Sequence, residues 1–328
     1  MMECIFLLSQ ENIELSSYEV ESLLALKKHT VHKNILKTNI NNLQLKKIHR
    51  LAYTKKAFLI LKECTVDKLA DSLLHFDFTK DYKNNFCLRI HSEKEKSKYS
   101  AEEYAKYIWR SLVAHSIRPK VNLDHPATLI EIFIEGKKSK EKATICKLLW
   151  ENTEDFESRQ AHLRPALHPT AMHPRLARAL VNIVDASPIV DPFCGSAGIM
   201  IEAGLMKIKS KGYDIDQIQL NRAKINLHHY KINRRLYTLA RKDATQIKKM
   251  DNIVTDLPYG KSSKKSDPLE KLYVQFVKKI SGRAVVIFPD YVDFKSILKK
   301  NLNKKLRMKI VFSYYVHKSL TRKIVVIG

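Results

Sequence analysis

The sequence predicts an α/β protein in which a doubly wound C-terminal sheet follows a smaller N-terminal α+β module. Three observations carry that prediction. From Arg175 onward, short apolar runs alternate with amphipathic stretches, the pattern of a parallel sheet with helices on both faces. Before residue 151 the strands and helices come in two irregular groups. Between them, 151–175 differs from both sides in holding three prolines (Pro165, Pro169, Pro174) and three histidines (His162, His168, His173). Prolines fix the backbone, so this stretch reads as an ordered linker. At roughly 150 residues per domain, 328 residues allow two domains and a smaller piece. The expected boundaries are 1–65, 66–150, a linker at 151–175, and 176–328.

The first group opens with an apolar strand over 4–9. A helix over 17–27 has Val20, Leu23, Leu24 and Leu26 on one face. A strand over 57–61 and a helix over 65–76, carrying Leu69, Leu73 and Leu74, complete it. The second group starts with a strand over 86–91 and a basic turn at 94–98. Ser100 followed by Glu103 is a capping-box signature for a helix through Tyr104, Ile108 and Leu112. A short run at 121–123, a turn at Asp124-His125-Pro126, an alternating strand over 128–135 and a strand over 143–149 follow.

In the C-terminal part, helices are expected over 176–184, 198–209, 217–230 and 268–280. The strands are 188–190, 211–215, 236–240, 252–255, 283–288, 309–316 and 323–327. Asp191, Asp214, Asp243 and Asp256 fall at or just beyond strand ends.

A formal charge of +25 and a pI near 9.7 point to a polyanionic partner. The excess comes in acid-free runs: seven Lys and Arg lie between Asp216 and Asp243, and ten follow Asp293. The five cysteines include no C-x-x-C pair, which argues against a disulfide framework or zinc site and for a reducing cytoplasm. No apolar run reaches the ~18 residues of a membrane span. The first ten residues lack the basic start and small-residue cleavage site of a signal peptide. No metal site is expected, since no H-x-x-x-H or C-x-x-C pair accompanies the histidines.

Open α/β sheets bind ligands beyond the carboxyl ends of their strands. A single aspartate there is ordinary loop capping; four in successive units suggest one cleft. The turn from Asp191 to Gly198 contains Gly195 and Gly198, which let backbone N–H groups approach a ligand. It has no G-x-G-x-x-G and no Walker lysine, which weakens dinucleotide and nucleoside triphosphate readings. Asp214, 19 residues beyond Gly195, is placed to accept hydrogen bonds from ribose hydroxyls. Asp243 stands where an adenine edge would lie. The last strand end, Thr255-Asp256-Leu257-Pro258-Tyr259-Gly260, suits one chemistry. An exocyclic amino group on a base is a poor nucleophile because its lone pair is delocalised into the ring. Asp256 and a nearby backbone carbonyl can hold its two N–H groups and aim the lone pair at a sulfonium methyl. Pro258 stiffens the loop, and Tyr259 offers a face on which an extruded base can stack. Taken alone, this segment also reads as a structural Pro-Tyr-Gly turn. A Cys194 nucleophile is disfavoured, because Cys194 lies in the glycine turn where a small residue is needed.

These segments, DPFCGSAGI (191–199), GYDID (212–216), ARKDA (240–244) and TDLPYG (255–260), resemble the motifs of class I amino-methyltransferases. More narrowly, the chain resembles the archaeal THUMP-containing tRNA (guanine(10)-N2)-methyltransferases. Arg164-Pro165, His168-Pro169, Met172-His173-Pro174 and 176–182 resemble that family's segment before the glycine motif. Residues 316–322 are similar to its final hairpin, and 86–150, with Asn122-Leu123-Asp124-His125-Pro126, resembles a THUMP RNA-binding domain. The resemblance implies a Rossmann-like methyltransferase domain behind a ferredoxin-like and THUMP module. It implies S-adenosyl-L-methionine contacts at Asp191, Phe193, Cys194, Gly195, Ser196, Gly198, Asp214, Ile215, Asp243 and Ala244. It implies base binding and catalysis at Asp256, Pro258 and Tyr259. Ala197 stands where the family often has glycine, and Leu257 where proline is more usual. The implied partner is tRNA, met by a cytoplasmic monomer. Open alternatives are another tRNA position, ribosomal RNA, a DNA amino-methyltransferase and a non-catalytic RNA-binding protein. A thiouridine synthetase would need a Ser-Gly-Gly-x-Asp-Ser loop, which is absent.

Overall fold

The computed structural model describes residues 1–92, 99–136, 141–166, 172–259, 268–317 and 320–328. The expected basic turn at 94–98, with His168, Pro169, Gly260, Lys318 and Ser319, lies outside the described residues. The elements begin with β1 (Met2–Leu8), α1 (Ile13–Leu24), β2 (His29–His32), β3 (Ile35–Ile40), α2 (Asn42–Leu45) and β4 (Thr54–Thr65). Next come α3 (Leu69–Leu74), β5 (Phe86–Ser92), α4 (Ala101–Ala114), β6 (Thr128–Glu135) and β7 (Lys142–Glu151). The later elements are α5 (Pro174–Val184), β8 (Ile189–Asp191), α6 (Gly198–Leu205), β9 (Ser210–Asp214), α7 (Gln217–His229), β10 (Tyr237–Arg241) and β11 (Ile253–Asp256). The last are α8 (Pro268–Val277), β12 (Ala284–Pro289), α9 (Phe294–Asn301), β13 (Met308–His317) and β14 (Leu320–Ile327).

The chain forms two compact units. The first holds Met1–Gln10, Leu26–His49 and Thr54–Asn152; the second holds Glu11–Ala25, Arg50–Tyr53 and Thr153–Gly328. This division differs from the sequence boundaries at 65/66 and 150/151. In the first unit β4 pairs with β1 on one side and β7 on the other, so both N-terminal groups share one seven-stranded sheet, ordered β2-β3-β1-β4-β7-β6-β5. Among the described strands of this sheet, only β5 and β6 run parallel. The hairpin of β2 and β3 was not visible in the sequence, because β2 is a largely exposed strand of mixed polar residues.

Two expectations in this unit can be read directly. The Ser100 side chain caps α4, accepting from Glu103 N at 3.3 Å, and Ile108 and Leu112 are buried beneath it. The alternating pattern of β6 implies one solvated face, yet Thr128 to Ile134 are all buried. Glu131 is held in this interior by Lys56 Nζ at 2.8 Å and His91 Nε2 at 2.6 Å. Burial alone would push its carboxyl up, but these two partners hold it below its ordinary value.

The second unit is built on a sheet ordered β10-β9-β8-β11-β12-β14-β13. The first five strands are parallel, as the βα alternation requires. The last two form an antiparallel hairpin, so the doubly wound sheet is not parallel throughout. The central strands are apolar on both faces. Val285 and Ile287 enter one core with α5 and α6, while Ala284, Val286 and Phe288 enter another with α8 and α9.

Helix α1 belongs to this unit. Buried Glu19 accepts from Ala52 N (2.8 Å), Tyr53 N (2.9 Å) and Asn182 Nδ2 (2.7 Å), which ties α1 and residues 50–53 to α5. Part of the expected linker is packed as well. Phe156 is buried, with the guanidiniums of Arg159 and Arg178 5.1 and 5.2 Å from its ring centroid. Both arginines bond the fully buried Glu202 of α6, at 2.8 and 3.0 Å. Helix α5 starts two residues before the expected 176, with His173 as N-cap and Pro174 in the first turn, where a proline costs no helical hydrogen bond.

Candidate active site

All the aspartates singled out in the sequence meet at the carboxyl end of the second sheet. There a cavity of about 470 Å³ is lined by Asp191, Phe193, Cys194, Gly195, Ser196, Gly198, Asp214, Ile215, Asp243, Ala244, Asp256, Pro258 and Tyr259. Every described residue expected to act is on that wall. The structure adds Met172, Gln219, Lys242 and Leu272. Met172 and Lys242 fall inside the resembling segments without being singled out by them, and Gln219 and Leu272 are common residue types outside any motif.

The glycine turn is built by two backbone constraints. Gly195 has φ +47°, a conformation that costs glycine little, and a Cβ placed there meets nothing within 4 Å. Its open side lets a ligand come against the main chain. Gly198 starts α6 in a tight place, since a Cβ there would come within 3.1 Å of buried Arg164 Nη1. Ala197 adopts the left-handed conformation at φ 71°, and stays fully buried. From below, fully buried Asn226 clamps the turn by donating to Ser196 O at 3.0 Å.

Asp214 fastens the turn to β9. Its Oδ2 accepts from Gly195 N and its Oδ1 from Asp216 N, both at 2.9 Å. A carboxylate has about four lone-pair directions, so these bonds leave acceptor capacity. Asp191 accepts from Thr255 Oγ1 at 2.7 Å and from Phe193 N at 3.3 Å. Burial dominates there and, with Asp214 and Asp256 nearby, pushes its pKa up to about 7 against the bonds that oppose it. Asp243 caps a short turn through Thr245 N at 2.8 Å. Burial also drives the Cys194 thiol far above its ordinary range, the opposite of what a thiolate nucleophile requires.

Asp256 ends β11 and is held by two groups. Arg322 Nη2 of β14 lies 3.0 Å from its Oδ2, and the Tyr259 hydroxyl donates to its Oδ1. Arg322 Nε also donates to the Tyr259 hydroxyl at 3.1 Å, closing a three-membered network. Burial raises the Asp256 carboxyl, Arg322 and Tyr259 draw it back, and the net position is above the ordinary value. The tyrosine expected only as a stacking face is therefore also a hydrogen-bonding partner of the carboxylate. Tyr273 donates to Pro258 O at 2.6 Å and fixes the loop from the side. Arg322 was missed as a functional residue, because only the antiparallel return of β14 brings it to β11.

Among the described residues no group of three or more His, Cys, Asp or Glu is arranged to hold a metal ion. Among them, too, no helix is long and apolar enough to cross a membrane.

A family model described as UPF0020, an RMKL-like methyltransferase domain, matches residues 161–324. The chain is 31% identical to a tRNA (guanine(10)-N2)-dimethyltransferase of Methanothermobacter thermautotrophicus, with 99% of each chain covered. It is 30% identical to the protein of that name in Pyrococcus abyssi, over 94% of each. Among solved structures, TrmN from Thermus thermophilus shares the fold with a TM-score of 0.53 at 18% identity, covering 99% of both chains.

Proposed function

We propose, from the premise that this chain belongs to the archaeal tRNA (guanine(10)-N2)-dimethyltransferase family, that its cleft methylates guanosine-10 of tRNA in the cytoplasm. The protein is an S-adenosylmethionine-dependent tRNA methyltransferase acting on the exocyclic N2 of guanosine. The observation that carries the chemistry is the Asp256 carboxylate, clamped by Arg322 and Tyr259, in the same cleft as the glycine turn and Asp214.

The residues present fit the cofactor. The open main chain at Gly195 and the Asp214 carboxylate suit the methionine and ribose portions, and Ile215, Asp243 and Ala244 line the part left for an adenine. The cleft carboxylates suit a ligand that carries a sulfonium cation. When bound, S-adenosylmethionine supplies an electrophilic methyl group.

The protein's own groups then position the acceptor. The guanine must leave its stack to enter the cleft, at a cost of about a few kcal/mol. Asp256, already oriented by Arg322, accepts an N–H of the amino group and holds its lone pair in line. Tyr259 contributes its ring as a wall and its hydroxyl as a second tether on Asp256. The first unit, through its THUMP-like portion, holds the tRNA by phosphates that carry little sequence information themselves. The relatives' name implies two rounds of transfer to one nitrogen. The enzyme works as a monomer in this reading.

The test is transfer of labelled methyl from S-adenosylmethionine to a tRNA transcript and to its guanosine-10→adenosine counterpart. Label only in the first, recovered as N2-methylated and N2,N2-dimethylated guanosine, supports the reading. Equal label in both moves the target to another position. No label in either, with cofactor still bound, sinks the proposed activity on tRNA.

A further inference from the structure

The five parallel strands of the second sheet begin at one end, and the registers set those beginnings side by side. Tyr237 and Ile189 both align with Ser210, Ile253 aligns with Ala284, and Ala284 and Met308 both align with Ile327. The residues just outside this row are strongly basic. Arg234 and Arg235 precede β10, Lys209 precedes β9, Lys249 precedes β11, and Lys305 and Arg307 precede β13; all six are exposed. The entering segments 206–209, 230–236, 278–283 and 302–307 contain no acid. Two acids lie in the remaining ones: Asp185, held by Arg50 at 3.0 Å, and Asp251.

The opposite end of the same sheet holds the cleft, where Asp191, Asp214 and Asp256 are the last residues of their strands. The basicity is also not a general property of the chain. Residues 1–160 carry 27 Lys and Arg against 22 Asp and Glu, while 161–328 carry 32 against 12. A surface charged only for solubility has no reason to be so segregated.

Seven strands spaced about 4.8 Å apart make this row about 29 Å wide, enough to face many charges of a nucleic-acid backbone. At about 3.3 Å per residue, the five residues of β9 put about 16 Å between the basic end and the carboxylate end. A phosphate next to a nucleotide seated in the cleft does not reach across that distance.

We propose that the amino-terminal end of the second sheet is a binding surface for a nucleic-acid backbone, occupied by RNA remote from the nucleotide in the cleft. The choice of RNA rests on the proposed tRNA substrate; the existence of the surface does not. The surface contributes affinity and salt dependence and leaves the chemistry at Asp256 untouched.

The experiment uses the full chain with Lys209→Gln, Arg235→Gln and Arg307→Gln combined. A matched control carries Lys27→Gln, Lys28→Gln and Lys46→Gln in the first unit. Binding of an unmodified tRNA transcript is followed by anisotropy across a salt series, with cofactor affinity by calorimetry and kcat at saturating tRNA. The expected result is a Kd about tenfold or more weaker, with a slope of log Kd against log salt reduced by about two. Cofactor affinity and kcat are expected to hold, and the control should bind as the unaltered protein does. Unchanged affinity and slope in the surface variant overturn the proposal. Equal losses in variant and control overturn it too, since they reflect net charge alone. So does a variant that binds tRNA normally but loses adsorption to phosphatidylserine vesicles. If the unaltered protein binds tRNA through this face and transfers no methyl, the surface stands and the proposed activity fails.

Discussion

Two carboxylates in the second unit are buried against arginine, Glu202 on α6 and Asp256 at the end of β11, and only Asp256 borders the cleft. Glu202 is fully buried, and its two oxygens take Arg159 Nε at 2.8 Å and Arg178 Nε at 3.0 Å. Glu154 backs the same two arginines at 3.1 and 3.0 Å. Asp256 has one arginine and one tyrosine, and its side chain remains 17% exposed. The chemistry of the pairs is nearly the same. The difference is that Glu202 spends its acceptors joining 154–159 to α5 and α6, whereas Asp256 keeps an edge toward a cavity. Pairing fixes a carboxylate in place; an open edge beside a cavity makes it available to a ligand.

The largest effect should come from the closed cluster. Glu202→Ala leaves the guanidiniums of Arg159 and Arg178 with Glu154 as their carboxylate partner, and losing the buried partner of such a pair costs up to about 3–5 kcal/mol. Urea unfolding should show that loss. Where the variant is still folded, its cofactor affinity should stay near that of the unaltered protein. A variant of ordinary stability that has lost cofactor binding would mean Glu202 belongs to the site, and the contrast with Asp256 would collapse.

Asp191 sharpens the comparison, because it is a buried carboxylate with no arginine. Its pKa is raised in the folded chain from 3.8 to about 7. The folded state therefore holds a proton over a range in which the unfolded state has released it. The stabilisation is complete below pH 3.8 and is lost as pH rises toward 7. About three units amount to no more than about 4 kcal/mol at 1.36 kcal/mol each. Asp191→Asn should flatten this part of the stability profile, measured by urea unfolding at closely spaced pH values. An unchanged slope would assign the pH dependence to other groups, Glu19 first among them, since burial raises its carboxyl too.

The open cluster should fail in the other currency. Asp256→Ala is expected to lower kcat/KM on the order of 100-fold or more through lost alignment. Its stability should change less than that of Glu202→Ala, because one guanidinium rather than two loses its carboxylate, and Arg322 keeps its bond to the Tyr259 hydroxyl. Methyl transfer and urea unfolding on one preparation separate the two effects.

This contrast was only half legible in the sequence. Asp191, Asp214 and Asp256 could be placed because a strand end in a parallel sheet is also a cleft edge, so chain order alone assembles them. The partners could not. Arg322 lies 63 residues from Tyr259 and arrives on an antiparallel strand, which no local pattern encodes. Glu202 reads as one more polar residue in an apolar helix, and its role depends on a proline-rich stretch that looked like a linker. The same limit explains α1. Its apolar face was readable, but its place in the second unit rests on Glu19 meeting the backbone of residues 52 and 53. Strand β2 was missed because its four residues are mostly exposed and show no period. Helix α9 was missed although Phe294, Ile297 and Leu298 stand at helical spacing, because the helix has only eight residues.

The smallest effect tests whether Arg322 acts through charge or through geometry. Burial raises the Asp256 carboxyl and Arg322 opposes it, so Arg322→Gln leaves burial less opposed and moves that carboxyl further up. Asp256 accepts an N–H most strongly when ionised. The acidic limb of the pH profile of kcat/KM should therefore shift to higher pH in Arg322→Gln. Arg322→Lys keeps the charge but loses the planar fork that reaches both Asp256 and the Tyr259 hydroxyl. Its limb should stay close to that of the unaltered protein, while kcat falls about tenfold, or about 1.4 kcal/mol. If both variants lose activity equally with no movement of the limb, Arg322 is merely a brace for the hairpin. Asp256 and Glu202 would then be alike in being held, and different only in the edge that Asp256 turns to the cavity.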